Sequence, residues 1–360
     1  MSTHSTVLFN NVTKQFKDFT AVDNISFEVR SGQLITLLGP SGCGKTTTLR
    51  MIAGLELATS GQVIIGGEDV SCVYAAGRSV GMVFQSYALF PHMTVMQNIC
   101  FGLSDKTKDK EETLDKAQAV LKTVGLKNLE HRYPSELSGG QQQRVAIARS
   151  IVTNPKVLLF DEPLSNLDAK LRRQVRGDIR DLQRELGVTT VYVTHDQEEA
   201  LAISDEIIVM KDGRIDQMGS PKALYQYPEN PFVAKFIGEA NKVSGHLEPR
   251  HKEKDECIVF TLAGQDLFSG DFLKQKNALN KACDAFIRPN AILILSEPSP
   301  DGYSFEVKIL SAIYMGSFVE YTIEPPWGSE LFMIDYSFNE PCKVGSLIHV
   351  KIDCRGVSIV

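Results

Sequence analysis

Short apolar runs alternate with stretches of helical periodicity through the first two thirds of the chain. Such runs are typical of strands buried on both faces, whereas apolar residues at helical spacing, as at 167–186, mark one face of a long helix. The alternation of the two patterns predicts an α/β fold built on an open sheet. The four runs occupy residues 34–38, 80–84, 157–160 and 189–194.

Further patterns surround this core. Alternating residues at 7–9 and 25–29, joined by a polar connection at 14–23, predict an antiparallel edge. Residues 86–149 are polar with helical spacing, which predicts a helical insertion. A hairpin with its turn at Asp212-Gly213 is expected at 207–215.

The pattern of apolar and polar residues changes after residues 232–238. Phe305, Val307 and Ile309 alternate with polar residues, and glycine and proline punctuate the strands between. This pattern predicts a separate β-rich domain, a small barrel, with no catalytic constellation in it.

Composition limits the class of protein. The 360 residues, 43% of them hydrophobic, suffice for two cores. A net charge of -6 and a pI near 5.7 argue against a nucleic-acid partner. No apolar stretch is long enough for a membrane span, and Met1 to Ser5 lack the features of a signal peptide, so we expect a soluble, cytoplasmic protein. Seven cysteines without a C-x-x-C pair argue against a disulfide framework or a zinc site.

The first apolar run leads into G-x-x-x-x-G-K-T and then a helix, which is the pattern of a phosphate-binding loop. We expect Gly39, Gly42 and Gly44 to adopt backbone angles closed to other residues, so that amides point at phosphate oxygens. Lys45 is expected to contact the β- and γ-phosphates, and the Thr46 hydroxyl to bind Mg²⁺. ATP or GTP binding is therefore predicted. The candidate residues are Gly39, Pro40, Ser41, Gly42, Cys43, Gly44, Lys45, Thr46 and Thr47. Cys43 is interpreted as a small filler, although its oxidation would impair binding.

A second candidate anion site lies at the end of the helical insertion. Ser138 and Gln141 form a capping box, and Gly139 and Gly140 leave the first amides of the helix uncovered. One interpretation is that this helix completes the nucleotide pocket of another copy of the chain. The alternative is an ordinary helix cap.

Polar side chains follow three of the predicted strands. Asp161 is placed to hold Mg²⁺ and Glu162 to polarise an attacking water, unless the two only cap the next helix. Gln85 is placed to reach the metal or the water, and His195 to bind the γ-phosphate, with a structural role as the alternative for each. Four arginines of the long helix are interpreted as a solvated face: Arg172, Arg173, Arg180 and Arg184.

Taken together, these motifs resemble the nucleotide-binding subunit of an ABC transporter. In that comparison Glu162 matches the catalytic glutamate and His195 the switch histidine. The other matching motifs are Walker A at 39–46, the Q-loop at Gln85, the LSGGQ signature at 137–141, Walker B at 157–161 and the D-loop Ser165-Asn166-Leu167-Asp168. The resemblance implies an ABC ATPase domain at 1–238, with its helical subdomain at about 88–150.

The resemblance also implies an assembly. Two copies would form a head-to-tail dimer with ATP held between Walker A of one and the signature and Asp168 of the other, and Phe16 would stack on adenine. The loop at 86–92 would receive a coupling helix from two transmembrane permease subunits. The protein would thus lie peripherally on the cytoplasmic face of the inner membrane, served indirectly by a periplasmic binding protein.

The tail, 239–360, resembles the oligonucleotide-binding-like (TOBE-type) regulatory domain of importer ATPases of the maltose, polyamine, sulfate and ferric-iron group. Ile287-Arg288-Pro289 and the segment 314–317 carry that resemblance. Segments 236–241 and 160–169 look closest to the ferric-iron subgroup, with polyamine, aminoethylphosphonate and sugar-phosphate importers as rivals. A soluble P-loop kinase and a non-transport ABC protein are the alternatives from other classes.

Overall fold

The computed structural model describes residues 7–103, 109–165, 167–252, 255–262, 264–270, 282–300, 302–337 and 340–360. The N-terminal pentapeptide and Asn166 of the predicted D-loop lie outside the described residues. The chain forms two compact units, Met1–Pro221 and Lys222–Val360. The sequence-based boundary after residue 238 lies further along the chain.

A six-stranded sheet forms the centre of the first unit, in the order β10-β9-β3-β8-β7-β6. Its middle strands pair in parallel, and β9 and β10 form the expected hairpin at the edge. The apolar runs become strands here because every residue of β3 and β8 is buried. The strands are β3 (Leu34–Leu38), β6 (Val80–Val83), β7 (Val157–Asp161), β8 (Thr189–Thr194), β9 (Glu206–Lys211) and β10 (Arg214–Gly219).

A second, antiparallel sheet has the order β2-β1-β4-β5 and confirms the predicted edge. The polar connection expected at 14–23 is wrong in extent, because the first two strands continue to a tight turn at Lys17, where φ is 51°. Register shifts within this pair break the alternation from which strands are recognised. The strands are β1 (Val7–Phe16), β2 (Phe19–Val29), β4 (Ser60–Ile65) and β5 (Glu68–Asp69).

Helices cover the sheets and form the predicted insertion. Ser138 caps α4 through a capping box with Gln141, and Asp168 caps α5 by accepting from the Leu171 amide. None of the described helices is both long enough and apolar enough to cross a bilayer. The helices of this unit are α1 (Lys45–Ala53), α2 (Val95–Phe101), α3 (Lys110–Thr123), α4 (Gly139–Ile151), α5 (Ala169–Leu186) and α6 (Gln197–Ile203).

The second unit confirms the β-rich domain predicted for the tail. Two five-stranded antiparallel sheets, β13-β12-β11-β14-β20 and β15-β19-β16-β17-β18, enclose one apolar core. Helices α7 (Pro221–Gln226) and α8 (Pro231–Phe236) precede them. The strands are β11 (Asn241–Lys252), β12 (Asp255–Leu262), β13 (Gln265–Gly270), β14 (Ala282–Ile287), β15 (Ile292–Leu295), β16 (Ser304–Tyr314), β17 (Val319–Glu324), β18 (Leu331–Asp335), β19 (Leu347–Ile352) and β20 (Val357–Ile359).

Arg288, which follows β14, ties the two helices of this unit to its sheets. Its side chain is 2% exposed and donates to the carbonyls of Tyr225, Ala234, Gly238 and Glu239 at 2.9–3.3 Å. The guanidinium also lies 4.1 Å from the centroid of the Tyr225 ring. Because carbonyls at helix ends have no partner within the helix, this arginine satisfies groups that would otherwise be buried unpaired.

We therefore expect Arg288→Met to destabilise the second unit by about 2–4 kcal/mol, since buried carbonyls lose their donors even though a desolvated charge is removed. The measurement is urea unfolding of the full chain followed by Trp327, the only tryptophan, which lies in this unit. Arg355→Met is the matched control, because the Arg355 side chain is exposed and its ion pair with Asp353 is solvated. Equal midpoints for the two variants would contradict the assigned role.

Candidate nucleotide and hydrolysis site

The phosphate loop joins β3 to α1 at the carboxyl edge of the central sheet. Gly42 and Gly44 adopt positive φ of 81° and 102°, as expected. The expectation for Gly39 is wrong, because its φ is not in the left-handed region. Gly39 is needed for space instead, since a Cβ there would lie 2.3 Å from the Met210 carbonyl oxygen and 2.6 Å from Cys43 Sγ.

Lys45 and Cys43 lie together beneath the loop. Lys45 Nζ donates to the carbonyls of Gly39 at 2.7 Å and Pro40 at 2.9 Å, and the residue is 5% exposed. Cys43 Sγ lies 3.8 Å from the same nitrogen, and burial raises the pKa of this thiol. Cys43 is thus a small buried side chain packed beneath the loop, in agreement with its interpretation as a filler.

Asp161 at the end of β7 meets Thr46 at the start of α1. Burial raises the pKa of the Asp161 carboxyl, and the adjacent Glu162 raises it further. The charge of Arg50 and a hydrogen bond from the Thr46 hydroxyl act in the opposite direction. A carboxylate and a hydroxyl therefore converge beside the phosphate loop, which is an oxygen donor set suited to a hard cation.

Glu162 and His195 come together although 33 residues separate them. His195 Nδ1 lies 3.1 Å from Glu162 Oε2. The pair forms because β7 and β8 are parallel and adjacent, so that Asp161 lies opposite Val193. Glu162 has a φ of 45°, a left-handed backbone that is unusual for a residue with a side chain. Its amide donates to the Val193 carbonyl at 3.0 Å, which helps to hold that conformation.

Gln85 extends this contact network from the end of β6. Its Nε2 donates to the Ser165 hydroxyl at 3.1 Å, and that hydroxyl donates to the Glu162 carbonyl at 3.0 Å. The carboxyl ends of β6, β7 and β8 thus bring Gln85, Glu162 and His195 to one edge. Ser165 belongs to the predicted D-loop, but no contact with Gln85 was predicted for it from the sequence.

A buried polar cluster beneath His195 was missed as well. Glu199 accepts from the hydroxyls of Thr194 at 2.8 Å and Tyr192 at 3.1 Å, and burial raises the pKa of its carboxyl. Arg172 donates to the Leu167 carbonyl at 3.1 Å and to Asp196 Oδ2 at 3.4 Å. The only signal in the sequence that could have indicated this cluster is the strand pattern at 189–194. Two members of the cluster, Tyr192 and Thr194, carry hydroxyl groups within this otherwise buried strand.

The interpretation of the α5 arginines as a solvated face is therefore wrong for two of them. Arg172 joins the D-loop residue Leu167 to the loop that carries His195. Arg180 forms an ion pair with Asp205, which also accepts from the Leu34 amide at the start of β3. Polar positions of a long helix face neighbouring loops as well as solvent, and periodicity does not distinguish the two.

The remaining candidates lie outside this contact network in the part of the chain that the structure describes. In the described residues, no hydrogen bond or ion pair links 138–141 to the phosphate loop at 39–47. Phe16 is 41% exposed, and Lys14 Nζ lies 4.7 Å from the centroid of its ring. Asp168 caps α5. No cluster of three potential metal-binding histidine, cysteine or acidic side chains occurs in the described part of the chain.

Comparison with known proteins finds relatives that are similar to this chain over most of its length. The ABC transporter family profile matches residues 22–165. The chain is 49% identical over 354 residues, 98% of its length and 97% of the relative's, to the Fe(3+) ions import ATP-binding protein FbpC of Brucella suis biovar 1 (strain 1330). It is 45% identical over 324 residues to the protein of the same name from Vibrio cholerae serotype O1, covering 90% and 89% of the two chains.

Solved structures resemble the first part of the chain. The dimeric ABC transporter cassette MJ0796 bound to ADP and Pi in a post-hydrolysis state has a TM-score of 0.53 at 33% identity, covering 60% of this chain and 98% of that one. CbiO1 from Clostridium perfringens, part of the transporter complex cbiONQ, has a TM-score of 0.57 at 29% identity, covering 61% and 90%. Both likenesses are to ATP-binding cassettes of transporters and cover the first part of the chain.

The raised pKa of Asp161 predicts that the residue reduces stability in the nucleotide-free protein. A carboxyl with a raised folded-state pKa favours folding below its unfolded pKa, and this contribution is lost as the pH rises through the folded value. Asp161→Asn should therefore raise the melting temperature at pH 7.5 by a few degrees. The difference from the parent protein should shrink as the pH is lowered.

Asp69→Asn is the control, because the pKa of the Asp69 carboxyl is shifted in the opposite direction to that of Asp161. Hydrogen bonds from Ser71 lower the pKa of the Asp69 carboxyl, so its neutralisation should not raise the melting temperature. Differential scanning fluorimetry from pH 5 to pH 8 measures both variants. A lower melting temperature for Asp161→Asn than for the parent at pH 7.5 would refute the prediction.

Proposed function

The chain belongs to the ATP-binding proteins of ABC transporters, and on this premise we propose that it is the ATP-hydrolysing subunit of an importer of ferric iron. The contact of 3.1 Å between Glu162 and His195 at the carboxyl edge of the sheet carries the proposal of hydrolysis. The cargo is inferred from relatives at 45–49% identity over nearly the whole chain, which are ferric-iron import proteins by name. Import of a polyamine, an aminoethylphosphonate or a sugar phosphate is the alternative.

We propose that ATP binds with its phosphates in the loop at 39–47. Amides of the loop and the first turn of α1 would bind phosphate oxygens, and the Lys45 ammonium would neutralise the β- and γ-phosphates. The Thr46 hydroxyl, the Asp161 carboxylate and the Gln85 side-chain oxygen would hold Mg²⁺, which would supply charge neutralisation on the phosphates. Phe16 is proposed to stack on adenine.

Glu162 is proposed to orient and polarise the attacking water. Its carboxylate already has His195 as a hydrogen-bonding partner, and the exposed imidazole remains able to reach the γ-phosphate through its other nitrogen. Gln85 contacts the same network through Ser165. In this proposal a base and a phosphate-binding group lie at the ends of neighbouring strands, and the water attacks the γ-phosphate directly.

A second copy of the chain is proposed to complete the site. The capped start of α4, with Ser138, Gly139, Gly140 and Gln141, offers an anion-binding helix end that is not hydrogen-bonded to the phosphate loop of its own chain in the described residues. In a head-to-tail homodimer this helix end, together with Asp168, would close over the nucleotide of the other copy. The dimeric state of a solved relative supports this assembly.

The proposed transport partners are two transmembrane permease subunits, which receive their substrate from a periplasmic binding protein. The loop at 86–92 would accept a coupling helix of the permease, and the protein would lie on the cytoplasmic face of the inner membrane. The second domain, proposed as 239–360 and TOBE-type, is assigned a regulatory role, without nucleic-acid binding because the net charge of the chain is -6.

We expect Glu162→Gln to abolish ATP turnover while retaining nucleotide binding, because the amide keeps the shape of the side chain but cannot accept a proton. The variant should form a stable dimer in Mg-ATP, seen by size-exclusion chromatography with light scattering. For the parent protein, ATPase activity should rise more steeply than linearly with protein concentration. Retained hydrolysis would exclude Glu162 as the base, and strict proportionality would count against the composite site.

Cells lacking this chain should lose uptake of radiolabelled ferric iron, and the wild-type gene should restore it. The gene for the Glu162→Gln variant should not restore uptake, since the cargo moves only if ATP is hydrolysed. Uptake of labelled putrescine serves as the control and should be unchanged. Loss of putrescine uptake with normal iron uptake would transfer the assignment to the polyamine importers.

A further inference from the structure

The loop that follows Gln85 contains two consecutive strained residues. Tyr87 and Ala88 have φ of 60° and 48°, in the left-handed region that disfavours side chains. The Tyr87 side chain is 6% exposed, and its hydroxyl has no hydrogen-bond partner among the described residues. A buried hydroxyl without a partner is unfavourable as well. The loop therefore holds a conformation that its own sequence opposes.

Arg149 provides the interactions that favour this conformation. Its Nη1 donates to the Ala88 carbonyl at 2.7 Å and its Nη2 to the Tyr87 carbonyl at 3.0 Å. The guanidinium carbon lies 5.4 Å from the centroid of the Phe90 ring. Burial lowers the pKa of this guanidinium, and its hydrogen bonds are stronger in that less polar surrounding. The planar fork places a separate nitrogen against the carbonyl of each strained residue, a fixed two-nitrogen geometry that the single ammonium nitrogen of a lysine does not reproduce.

Both ends of the loop are attached to other elements. On the far side, the fully buried Asn98 accepts from the Phe90 amide at 2.9 Å and donates to the Phe90 carbonyl at 3.2 Å. On the near side, Gln85 donates to Ser165, which donates to the Glu162 carbonyl. Movement of the loop is therefore restricted to the residues between Gln85 and Phe90.

Arg149 lies in the last turn of α4, the helix whose first turn is capped by Ser138. A helix of 13 residues transmits a displacement along its axis with little deformation. A shift of the Ser138 end would therefore move the guanidinium relative to the carbonyls of Tyr87 and Ala88. The strain in the loop would then be released, and Gln85 would change position.

We propose that Arg149 is a positioning residue that holds the loop at 85–90 in its strained form and thereby sets the position of Gln85 during ATP hydrolysis. This inference rests on the proposed function, in which Gln85 contributes to the hydrolysis site. The Arg149 guanidinium donates to the loop carbonyls of Tyr87 and Ala88 and lies against the Phe90 ring, and it acts through that loop.

The first experiment measures kcat and KM for ATP with the purified full-length chain. Arg149→Lys should lower kcat on the order of tenfold with little change in KM, because the phosphate loop is untouched. Adding Ala88→Gly, which relieves the left-handed strain, should restore part of the lost kcat. Arg144→Lys is the matched control, since Arg144 lies on the same helix but pairs with Asp178 at 2.5 Å, and its kcat should stay close to that of the parent.

A double-mutant cycle distinguishes positioning from general destabilisation. If Arg149 acts through Gln85, then Arg149→Lys should lower kcat little further in a Gln85→Ala background. Multiplicative losses, or unchanged kcat for Arg149→Lys alone, would overturn the inference. If Glu162→Gln is inactive while Arg149→Lys is fully active, the inference fails and the proposed function stands. If Glu162→Gln retains hydrolysis, the proposed function itself fails.

The strain can be tested without changing Arg149, which covers the case in which that variant does not fold. Ala88→Gly should leave the melting temperature equal or raise it, whereas Ala88→Val should lower it. Ala119→Gly, at an exposed position of α3, should lower the melting temperature through the ordinary cost of glycine in a helix. Equal losses for Ala88→Gly and Ala119→Gly would show that the loop is not strained and would overturn the inference.

Discussion

Parallel pairing of β6, β7, β8 and β3 is the constraint on which the site depends. The pairing places Val83 opposite Phe160, Asp161 opposite Val193 and Leu38 opposite Thr194. Because side chains alternate along a strand, a slip of one residue would turn each terminal residue to the other face of the sheet. Because β3 and β8 are buried at every position, the sheet lies inside the apolar core, and its parallel pairing determines where the polar loops meet.

The elements and the candidate catalytic residues could be predicted from sequence because each leaves a local pattern. The apolar runs, the Ser138 capping box and the order of the motifs needed no information from distant parts of the chain. What could not be predicted depends on contacts between distant residues. Gly39 needs space because of Met210, and Arg172 is half-buried because its partners Leu167 and Asp196 lie on separate loops. The left-handed backbone of Glu162 has no counterpart in composition or periodicity.

The site collects features that reduce the stability of the fold. The carboxyl of Asp161 is buried next to Glu162, so the ionised pair is unfavourable without a cation. Glu162, Tyr87 and Ala88 all have positive φ. Strained residues persist only where the surrounding structure over-determines them, and here the buried parallel strands and Arg149 do so. At the site these costs lie in the loops, whereas Asn11 and Asn24 have positive φ inside β1 and β2, where register shifts interrupt the pairing.

Buried arginines explain how such loops and helix ends are fixed without matching acidic residues. Arg78 donates to the carbonyls of Met51 and Ile52 near the end of α1, as well as to Val70 and Val73. Arg149 and Arg288 likewise donate to backbone carbonyls, and burial lowers the pKa of all three guanidiniums. Five donors in a plane let one side chain satisfy carbonyl dipoles that converge from different segments. Every residue has a backbone carbonyl, so these partners cannot be recognised from the charged residues of the sequence. An arginine without a nearby acidic residue in the sequence is therefore as compatible with a buried site of converging carbonyls as with a solvated face.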